Sequence, residues 1–338
     1  MKIAAIGDIH SREIWKEVAE HASKYAEKIV FLGDYIDPYP EEIKEGLIYI
    51  KTFEEYDWSK HNWYDVPDER EFEPMEDLDP EWSDEDINLS DEEYFKKYYG
   101  KKDGGEDLKK YYDKDGKFNW NDYFDDKYPE EKLKKYKYKT FEENISVLND
   151  IIDFKKKNND SVILLLGNHD AHYMYPEIDK CSRFDTTHCK KFEKRYRDNK
   201  DLFQYAYQIK NNLFTHAGVT YEWVKTFKNT LKNQGLKDDY SNMADVINKM
   251  GNNPATNRII NVTGGARGGS LLSGGPTWAD YDETRLDYII GLNQYVGHSQ
   301  MRYIFTEKVP KRYGSITYCD VLGSAKPNMA SNYKLITI

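Results

Sequence analysis

The chain has little cysteine, no long apolar run and no excess of positive charge. Its three cysteines cannot all pair, which favours a reducing compartment and hence a cytoplasmic location. No run of residues approaches the length of a membrane span, and the apolar segment at residues 1–6 is too short and wrongly flanked for a signal peptide. The 49 basic residues are outnumbered by 60 acidic ones, and the net charge of −11 argues against nucleic acid as a partner bound through counterion release.

One segment, residues 51–140, is poor in aliphatic side chains and carries the whole net charge. It holds 17 of the 49 basic and 28 of the 60 acidic residues, so the rest of the chain is neutral. Its apolar residues are mainly aromatic, a residue class that disordered acidic tracts usually lack. We therefore predict an ordered insert at 51–140 between the two parts of a core, residues 1–50 and 141–338. The insert is expected to act as a lid, a specificity surface or a subunit contact, and the oligomeric state stays open.

What the chain does contain is five short segments that each end an apolar run with a residue suited to metal binding. They are Gly7-Asp8-Ile9-His10, Gly33-Asp34-Tyr35-Ile36-Asp37, Gly167-Asn168-His169-Asp170, His216-Ala217-Gly218 and Gly297-His298. A buried strand followed by a glycine turn presents a side chain at the C-terminal edge of a sheet. Five such ends on one edge would collect three histidines, two aspartates and one asparagine. That ligand set suits two metal ions and indicates hydrolysis of a phosphate ester.

Outside the insert, apolar runs alternate with amphipathic stretches and then give way to a series of short strands. The pattern predicts helices near 12–27 and 140–157, and strands that include 2–7, 28–33, 161–166 and 206–215. The stretch between the last two strands is expected to consist mostly of loops. Strand–helix alternation followed by a run of strands indicates an α/β fold with mixed sheets.

The residue types in the five segments predict a chemical mechanism. Mixed nitrogen and oxygen ligands suit manganese, iron, zinc or cobalt better than calcium, and manganese is the first choice. Two such ions about 3.5–4 Å apart can hold a bridging hydroxide for in-line attack on phosphorus. The carboxylate of Asp34 can bridge the two ions. His169 is the natural general acid for the leaving alkoxide, and Asp37 can hold its imidazole in orientation.

The order and spelling of these segments resemble the calcineurin-like metallophosphoesterase superfamily. They are most similar to its phosphoprotein phosphatase-like branch, whose pattern runs GDxH, GDxxD, GNH[ED], H[AG]G and GH. The resemblance implies a two-layer mixed β-sandwich flanked by helices, with His169 as the acid and Asp37 as its partner. It also implies six metal ligands, with Asp34 bridging: Asp8, His10, Asp34, Asn168, His216 and His298. Segments 201–218 and 274–280 look like those of bacterial and phage serine/threonine phosphatase-like members.

The chain departs from the pattern of this branch at positions that concern phosphate. Pro38 replaces an arginine that usually follows GDxxD, and Leu166 replaces an arginine often found before GNH. Both arginines ordinarily help to grip the phosphate. Arg267 in the glycine-rich loop and Arg302 are candidates for that task, since a guanidinium can clamp two phosphate oxygens. Ser11 stands where the branch often has glycine.

The sequence therefore predicts a metal-dependent phosphoric ester hydrolase that acts on a phosphomonoester. The substrate is a phosphorylated protein or small molecule, and a phosphoprotein serine/threonine phosphatase is one form of this hypothesis. Because the same chemistry serves diesters, a phosphodiesterase acting on nucleotides or nucleic acid is the nearest alternative. A third hypothesis is a partner-binding module that uses the acidic insert on an inactive core.

Overall fold

The computed structural model of the chain describes residues 1–42, 136–175, 177–308, 313–323 and 329–338. By its backbone contacts the chain divides into one compact unit, Met1–Tyr39 with Tyr138–Ile338, and a second unit, Pro40–Lys137. Of the predicted insert at 51–140, all but residues 136–140 lie outside the described residues, so its order and its role stay predictions. No helix in the described part of the chain is both long and apolar enough to cross a membrane.

The described strands are short, and each has two to five residues. In chain order they are β1 (Lys2–Ile6), β2 (Lys28–Phe31), β3 (Glu41–Glu42), β4 (Tyr136–Lys137), β5 (Val162–Leu165), β6 (Phe203–Gln204), β7 (Ala206–Ile209), β8 (Asn212–Thr215), β9 (Asn293–Val296), β10 (Phe305–Glu307), β11 (Ser315–Tyr318) and β12 (Lys334–Thr337). The helices are α1 (Trp15–Ser23), α2 (Phe141–Lys157), α3 (Asn168–Met174), α4 (Cys189–Asp198), α5 (Tyr221–Thr226), α6 (Lys228–Asn233), α7 (Met243–Gly251), α8 (Asn257–Ile260) and α9 (Tyr281–Asp287).

The strands of the first unit form two five-stranded sheets. The first sheet has the order β12-β1-β2-β5-β6, in which β1, β2, β5 and β6 run parallel and β12 is antiparallel to β1. The second has the order β10-β11-β9-β8-β7, with β8, β9 and β11 parallel and the two edge strands antiparallel. Both sheets are mixed, which confirms the predicted fold class. In the second unit, β3 pairs with β4 in antiparallel fashion.

Strands β1, β2 and β5 of the first sheet are buried on both faces, which explains why they read as continuous apolar runs. Ile3 and Val30 belong to a core cluster that also contains Phe214 from the second sheet. Successive side chains of a strand point to opposite faces. Accordingly, Ile6 belongs to a different cluster, which includes Val18 of α1. Full burial of one such side chain contributes about 1.5–3 kcal/mol, so these two clusters hold the sheets and helices in fixed positions.

The structure corrects the predicted elements in three places. The single strand predicted at 206–215 is wrong: a turn at Lys210, whose φ is +51°, divides it into the antiparallel strands β7 and β8. The stretch predicted to be mostly loop, between β5 and β6, contains the two helices α3 and α4. Helix α1 is also shorter than the predicted 12–27, whereas α2 agrees closely with the prediction at 140–157.

Candidate active site

The five motif segments meet where strands of the two sheets end. Three of them follow the parallel strands β1, β2 and β5 of the first sheet, and the other two follow the parallel strands β8 and β9 of the second. The carboxyl ends of parallel strands lie at the same edge of a sheet, which is why such distant segments come together. The structure brings together all six residues predicted as ligands, Asp8, His10, Asp34, Asn168, His216 and His298, and five of them are almost fully buried.

Asp34 lies at the centre of this group. Its Oδ2 is 3.7 Å from Nε2 of His10 and 3.4 Å from Nε2 of His216. Its Oδ1 accepts a hydrogen bond from the backbone N–H of His169 at 3.0 Å. One carboxylate thus faces imidazoles on both sides.

Backbone carbonyl groups fix the orientation of two of the imidazoles. Nδ1 of His10 lies 3.0 Å from the carbonyl oxygen of Ile36, and Nδ1 of His216 lies 2.8 Å from that of Leu32. A carbonyl oxygen can only accept, so each Nδ1 carries a hydrogen and donates it. The Nε2 atoms are therefore the ones directed at Asp34, and this arrangement is typical of metal-binding histidines.

Asn168 directs its amide oxygen towards the histidines of the second sheet. This Oδ1 is 2.9 Å from Nε2 of His216 and 3.1 Å from Nδ1 of His298. Its Nδ2 donates to Sγ of Cys181 at 3.2 Å, which keeps the amide in this orientation. The site therefore gains an oxygen donor without an added negative charge.

Two motif glycines are required by the close approach of the carboxylates. A Cβ at Gly167 would lie 2.0 Å from Oδ1 of Asp34, and a Cβ at Gly297 would lie 2.1 Å from Oδ1 of Asp8. Neither distance is compatible with a side chain. The glycines thus make room for the carboxylates, in addition to shaping the turns.

The buried carboxylates create a strongly negative environment. Burial and the neighbouring Asp320 carboxylate raise the pKa of Asp8 well above its usual value. Burial also raises the pKa of Asp320 to about 6, although the Arg12 guanidinium opposes the shift. Sequence reasoning missed Asp320, which follows strand β11 and belongs to none of the five motifs.

Two of these carboxylates raise the pKa of the neighbouring His216. Burial alone would lower the pKa of His216, but Asp34 and Asp8 raise it to about 10. Burial likewise favours protonation of Asp34, yet the imidazoles of His216 and His169 hold the pKa of its carboxyl well below the usual value. A proton held this firmly on Nε2 lies among the predicted ligand atoms, where a metal cation would displace it. The donor set therefore fits divalent metal ions.

Two groups of side chains have donor atoms close enough to hold one ion each, and they share a residue. Asp8, His10 and Asp34 form the first, and Asp34, His216 and His298 form the second; within each group the donor atoms lie within 4.8 Å of one another. A third group combines His169, His172 and Cys181. In that group Nδ1 of His172 accepts the backbone N–H of Cys181 at 3.0 Å, so its Nε2 carries the hydrogen and has no lone pair for a metal.

Next to the first group lies the pair predicted as acid and partner. Nδ1 of His169 is 2.9 Å from Oδ2 of Asp37, and both side chains are buried. Two residues missed in the sequence complete this arrangement: the Tyr173 hydroxyl donates to Oδ1 of Asp37 at 2.7 Å, and Nε2 of His172 lies 3.0 Å from Oδ2. Burial lowers the pKa of His169, while Asp34 and Asp37 oppose that shift.

Asp170 connects two of the loops that carry predicted metal ligands, the one at Asp34 and the one at Asn168. Sequence reasoning assigned Asp170 no role. Its Oδ2 accepts the backbone N–H groups of Asp34 at 2.7 Å and of Gly167 at 2.8 Å. Its Oδ1 accepts from the N–H of Tyr35 at 3.0 Å and from the Tyr196 hydroxyl at 2.6 Å. The acidic residue that ends the Gly167–Asp170 segment was a signal for this role.

The two arginines proposed for substrate binding lie in different surroundings. Nε of Arg267 donates to Oδ2 of Asp280 at 2.6 Å, and its guanidinium helps to lower the pKa of His298, for which burial is the larger cause. Arg302 is exposed to solvent. A third arginine, Arg183, is closer to the predicted acid: its Nη2 is 3.4 Å from Nε2 of His169. No motif pointed to Arg183.

A family model described as calcineurin-like phosphoesterase matches residues 121–298, slightly more than half of the chain. The chain belongs to the calcineurin-like phosphoesterase family. The match includes the motifs of Asn168, His216 and His298, while the two motifs of this phosphoesterase that precede the insert lie outside it. A comparison with curated proteins found no match. Family membership implies hydrolysis of phosphate esters with divalent metal ions.

Proposed function

We propose that this phosphoesterase is a dinuclear-metal-dependent phosphatase that hydrolyses a phosphomonoester, in one form a phosphoprotein serine/threonine phosphatase. The observation that supports the proposal most strongly is the pair of donor groups that share Asp34, next to a buried His169–Asp37 pair. The similarity of segments 201–218 and 274–280 to bacterial and phage phosphatases favours the monoester. The partner is then a phosphorylated protein or small molecule.

In this proposal the chain supplies six ligands for two cations. Asp8, His10 and Asp34 hold the first, and Asp34, Asn168, His216 and His298 hold the second. When bound, the two cations would supply the positive charge that binds phosphoryl oxygens and lowers the pKa of water. Manganese suits this mixed donor set, and iron, zinc and cobalt are alternatives.

His169 supplies the proton for the leaving group. Its Nδ1 is bound to Asp37, so Nε2 is the atom available to a substrate oxygen. The carboxylate favours the protonated imidazole, and the hydrogen bond from the Tyr173 hydroxyl holds that carboxylate in place. A correctly placed general acid contributes about 10²–10⁴-fold to the rate of such a reaction.

The test uses the full-length protein with manganese and p-nitrophenyl phosphate, compared with bis-p-nitrophenyl phosphate. We expect faster hydrolysis of the monoester, a loss of about 10²–10⁴-fold in His169→Ala with unchanged metal content, and loss of bound metal in Asp34→Asn. His188→Ala is the matched control, because His188 also pairs with a carboxylate, Oδ2 of Asp185 at 2.8 Å, but in a half-exposed position.

Each alternative has its own result in this assay. Preference for the diester would replace the phosphatase proposal with a phosphodiesterase. Protein without bound metal after dialysis against manganese, and without turnover on either substrate, would contradict an enzymatic role and favour the partner-binding module. Equal activity of the wild type and His169→Ala would remove His169 from the mechanism.

A further inference from the structure

Arg183 is a positive charge placed directly at the proposed acid. Its Nη2 lies 3.4 Å from Nε2 of His169, the nitrogen that faces away from Asp37. Its Nε donates to the backbone carbonyl oxygen of Asp37 at 3.1 Å. The bond to the carbonyl oxygen uses one of the five N–H groups of the guanidinium, and the four on the two Nη atoms are left for a further acceptor when Nε2 of His169 carries its proton.

An aromatic ring fixes the plane of this guanidinium. The Cζ atom of Arg183 lies 3.6 Å from the centroid of the Tyr39 ring, which is the distance of a close stacking contact. The Tyr39 ring in turn packs edge-on against the imidazole of His10, with centroids 5.0 Å apart. The arginine is thus held against the part of the site where His10 and His169 meet.

The residues two positions before and after Arg183 donate hydrogen bonds to side chains that lie against the carboxylate of Asp37. The N–H of Cys181 donates to His172, and the N–H of Asp185 donates to the Tyr173 hydroxyl at 2.7 Å. His172 and Tyr173 both lie within 3.0 Å of the Asp37 carboxylate. Arg183 itself has a φ of +57°, a left-handed conformation that is unusual for a residue other than glycine and that often marks a functional position.

Arg183 also differs from Arg267 in its charged neighbours. Among the described residues, no carboxylate lies within ion-pair distance of Arg183, whereas Arg267 is paired with Asp280 at 2.6 Å. A half-buried guanidinium without a carboxylate partner attracts an anion more strongly than one that is already paired. The chain has Pro38 and Leu166 where the phosphoprotein phosphatase-like pattern has arginines that help to bind phosphate.

We propose that Arg183, held by Tyr39, binds the phosphoryl oxygens of the substrate and replaces the arginines missing at Pro38 and Leu166. The proposal rests on the proposed function, since it requires a phosphate ester at the same site. The phosphate-binding residue would then lie between the third motif, Gly167–Asp170, and the fourth motif, His216–Gly218.

The experiment measures binding of inorganic phosphate to the manganese-loaded full-length protein by calorimetry, together with metal content. Arg183→Gly removes the guanidinium while accepting the left-handed backbone, and Arg183→Lys keeps a charge without the fork of donors. We expect Arg183→Gly to weaken phosphate binding by about 10- to 100-fold at unchanged metal content, because a charge-assisted hydrogen bond is lost. Arg183→Lys should recover part of that loss, and kcat/KM for p-nitrophenyl phosphate should follow the same order.

Arg285→Ala serves as the matched control, because Arg285 also lies near a tyrosine ring, 5.6 Å from the centroid of Tyr281, and pairs with a surface carboxylate. Unchanged phosphate affinity in Arg183→Gly would overturn the proposal, as would an equal loss in Arg285→Ala. A loss confined to Arg267→Ala would assign the grip to Arg267 instead. Phosphate binding is measured without turnover, so a wild type that binds phosphate through Arg183 but hydrolyses no ester would contradict the proposed function alone.

Discussion

Replacement of Asp170 by asparagine tests how the ligand loops are held together. The carboxylate accepts four hydrogen bonds and donates none: Oδ2 binds the N–H groups of Asp34 and Gly167, and Oδ1 binds the N–H of Tyr35 and the Tyr196 hydroxyl. An asparagine has one oxygen and one amide nitrogen. Whichever way it is oriented, one pair of donors faces an NH₂ group.

The least costly orientation keeps the oxygen on the two backbone donors, Asp34 and Gly167. The NH₂ group then faces the Tyr196 hydroxyl, which can turn and accept, and the N–H of Tyr35, which cannot. One buried N–H group thus loses its partner, and this costs about 1–3 kcal/mol. We therefore expect Asp170→Asn to lower the free energy of unfolding by about that amount. A neutral amide oxygen also binds the N–H of Asp34 more weakly than a carboxylate does, and the adjacent Tyr35 loses its bond, so we expect manganese affinity to fall by about 10- to 100-fold.

The assay is urea unfolding of the metal-free protein, followed by titration with manganese. Tyr196→Phe is the control: it removes one donor to Asp170, leaves no buried group unpaired and should cost only about 1 kcal/mol. If Asp170→Asn proves no more destabilising than Tyr196→Phe, and binds manganese as tightly as the wild type, the reasoning on the four donors is refuted.

Three further predictions follow from the described contacts. Ser11→Ala should lower the free energy of unfolding by about 1 kcal/mol, because it loses the hydroxyl bond to Asn144. Ser11→Gly should recover most of that loss, since glycine adopts the φ of +58° without strain. A Ser11→Ala variant that is more stable in urea than Ser11→Gly would contradict this prediction. Chelation with EDTA should lower Tm in calorimetry, since manganese at 100 times its Kd stabilises the folded state by about 2.7 kcal/mol; an unchanged Tm would argue against a resident metal. Iodoacetamide should label Cys189 in the native protein and spare the buried Cys181 and Cys319, and equal labelling of all three would contradict the burial of the latter two.

The meeting of the ligands was predictable because it depends on a local pattern. An apolar run, a glycine and an acidic or imidazole side chain are read within about six residues, and parallel strands bring their ends to one edge. Asp8 and Asp34 are examples: β1 and β2 pair in parallel, so the residues just beyond them are neighbours. The hairpin at Lys210 was missed because a continuous apolar reading ignored the polar turn residues Lys210 and Asn211.

The surroundings of the proposed acid were not predictable, because they depend on contacts between distant parts of the chain. Arg183 lies 146 residues after Asp37, whose carbonyl oxygen it binds, and no motif relates the two. The stacking of Arg183 on Tyr39 likewise requires that the loop after β2 and the segment after α3 be packed side by side. A single sequence contains no signal for such a contact, since neither residue type is unusual in a loop.

Backbone strain gives a physical reason for the order of this site before any metal binds. His10, Asp34, Asp37 and His298 all have left-handed φ values between 43° and 63°, and each such residue costs about 1–2 kcal/mol. The strain is held by the chain itself: the N–H groups of Ile9 and His10 donate to the carbonyl oxygen of Asp34 at 3.0 and 2.7 Å. The strands that precede these loops, β1, β2 and β9, are almost completely buried and hold the loop ends in fixed positions. Carboxylates that repel one another are thereby kept in place until cations neutralise them, so binding energy is not consumed in ordering the loops.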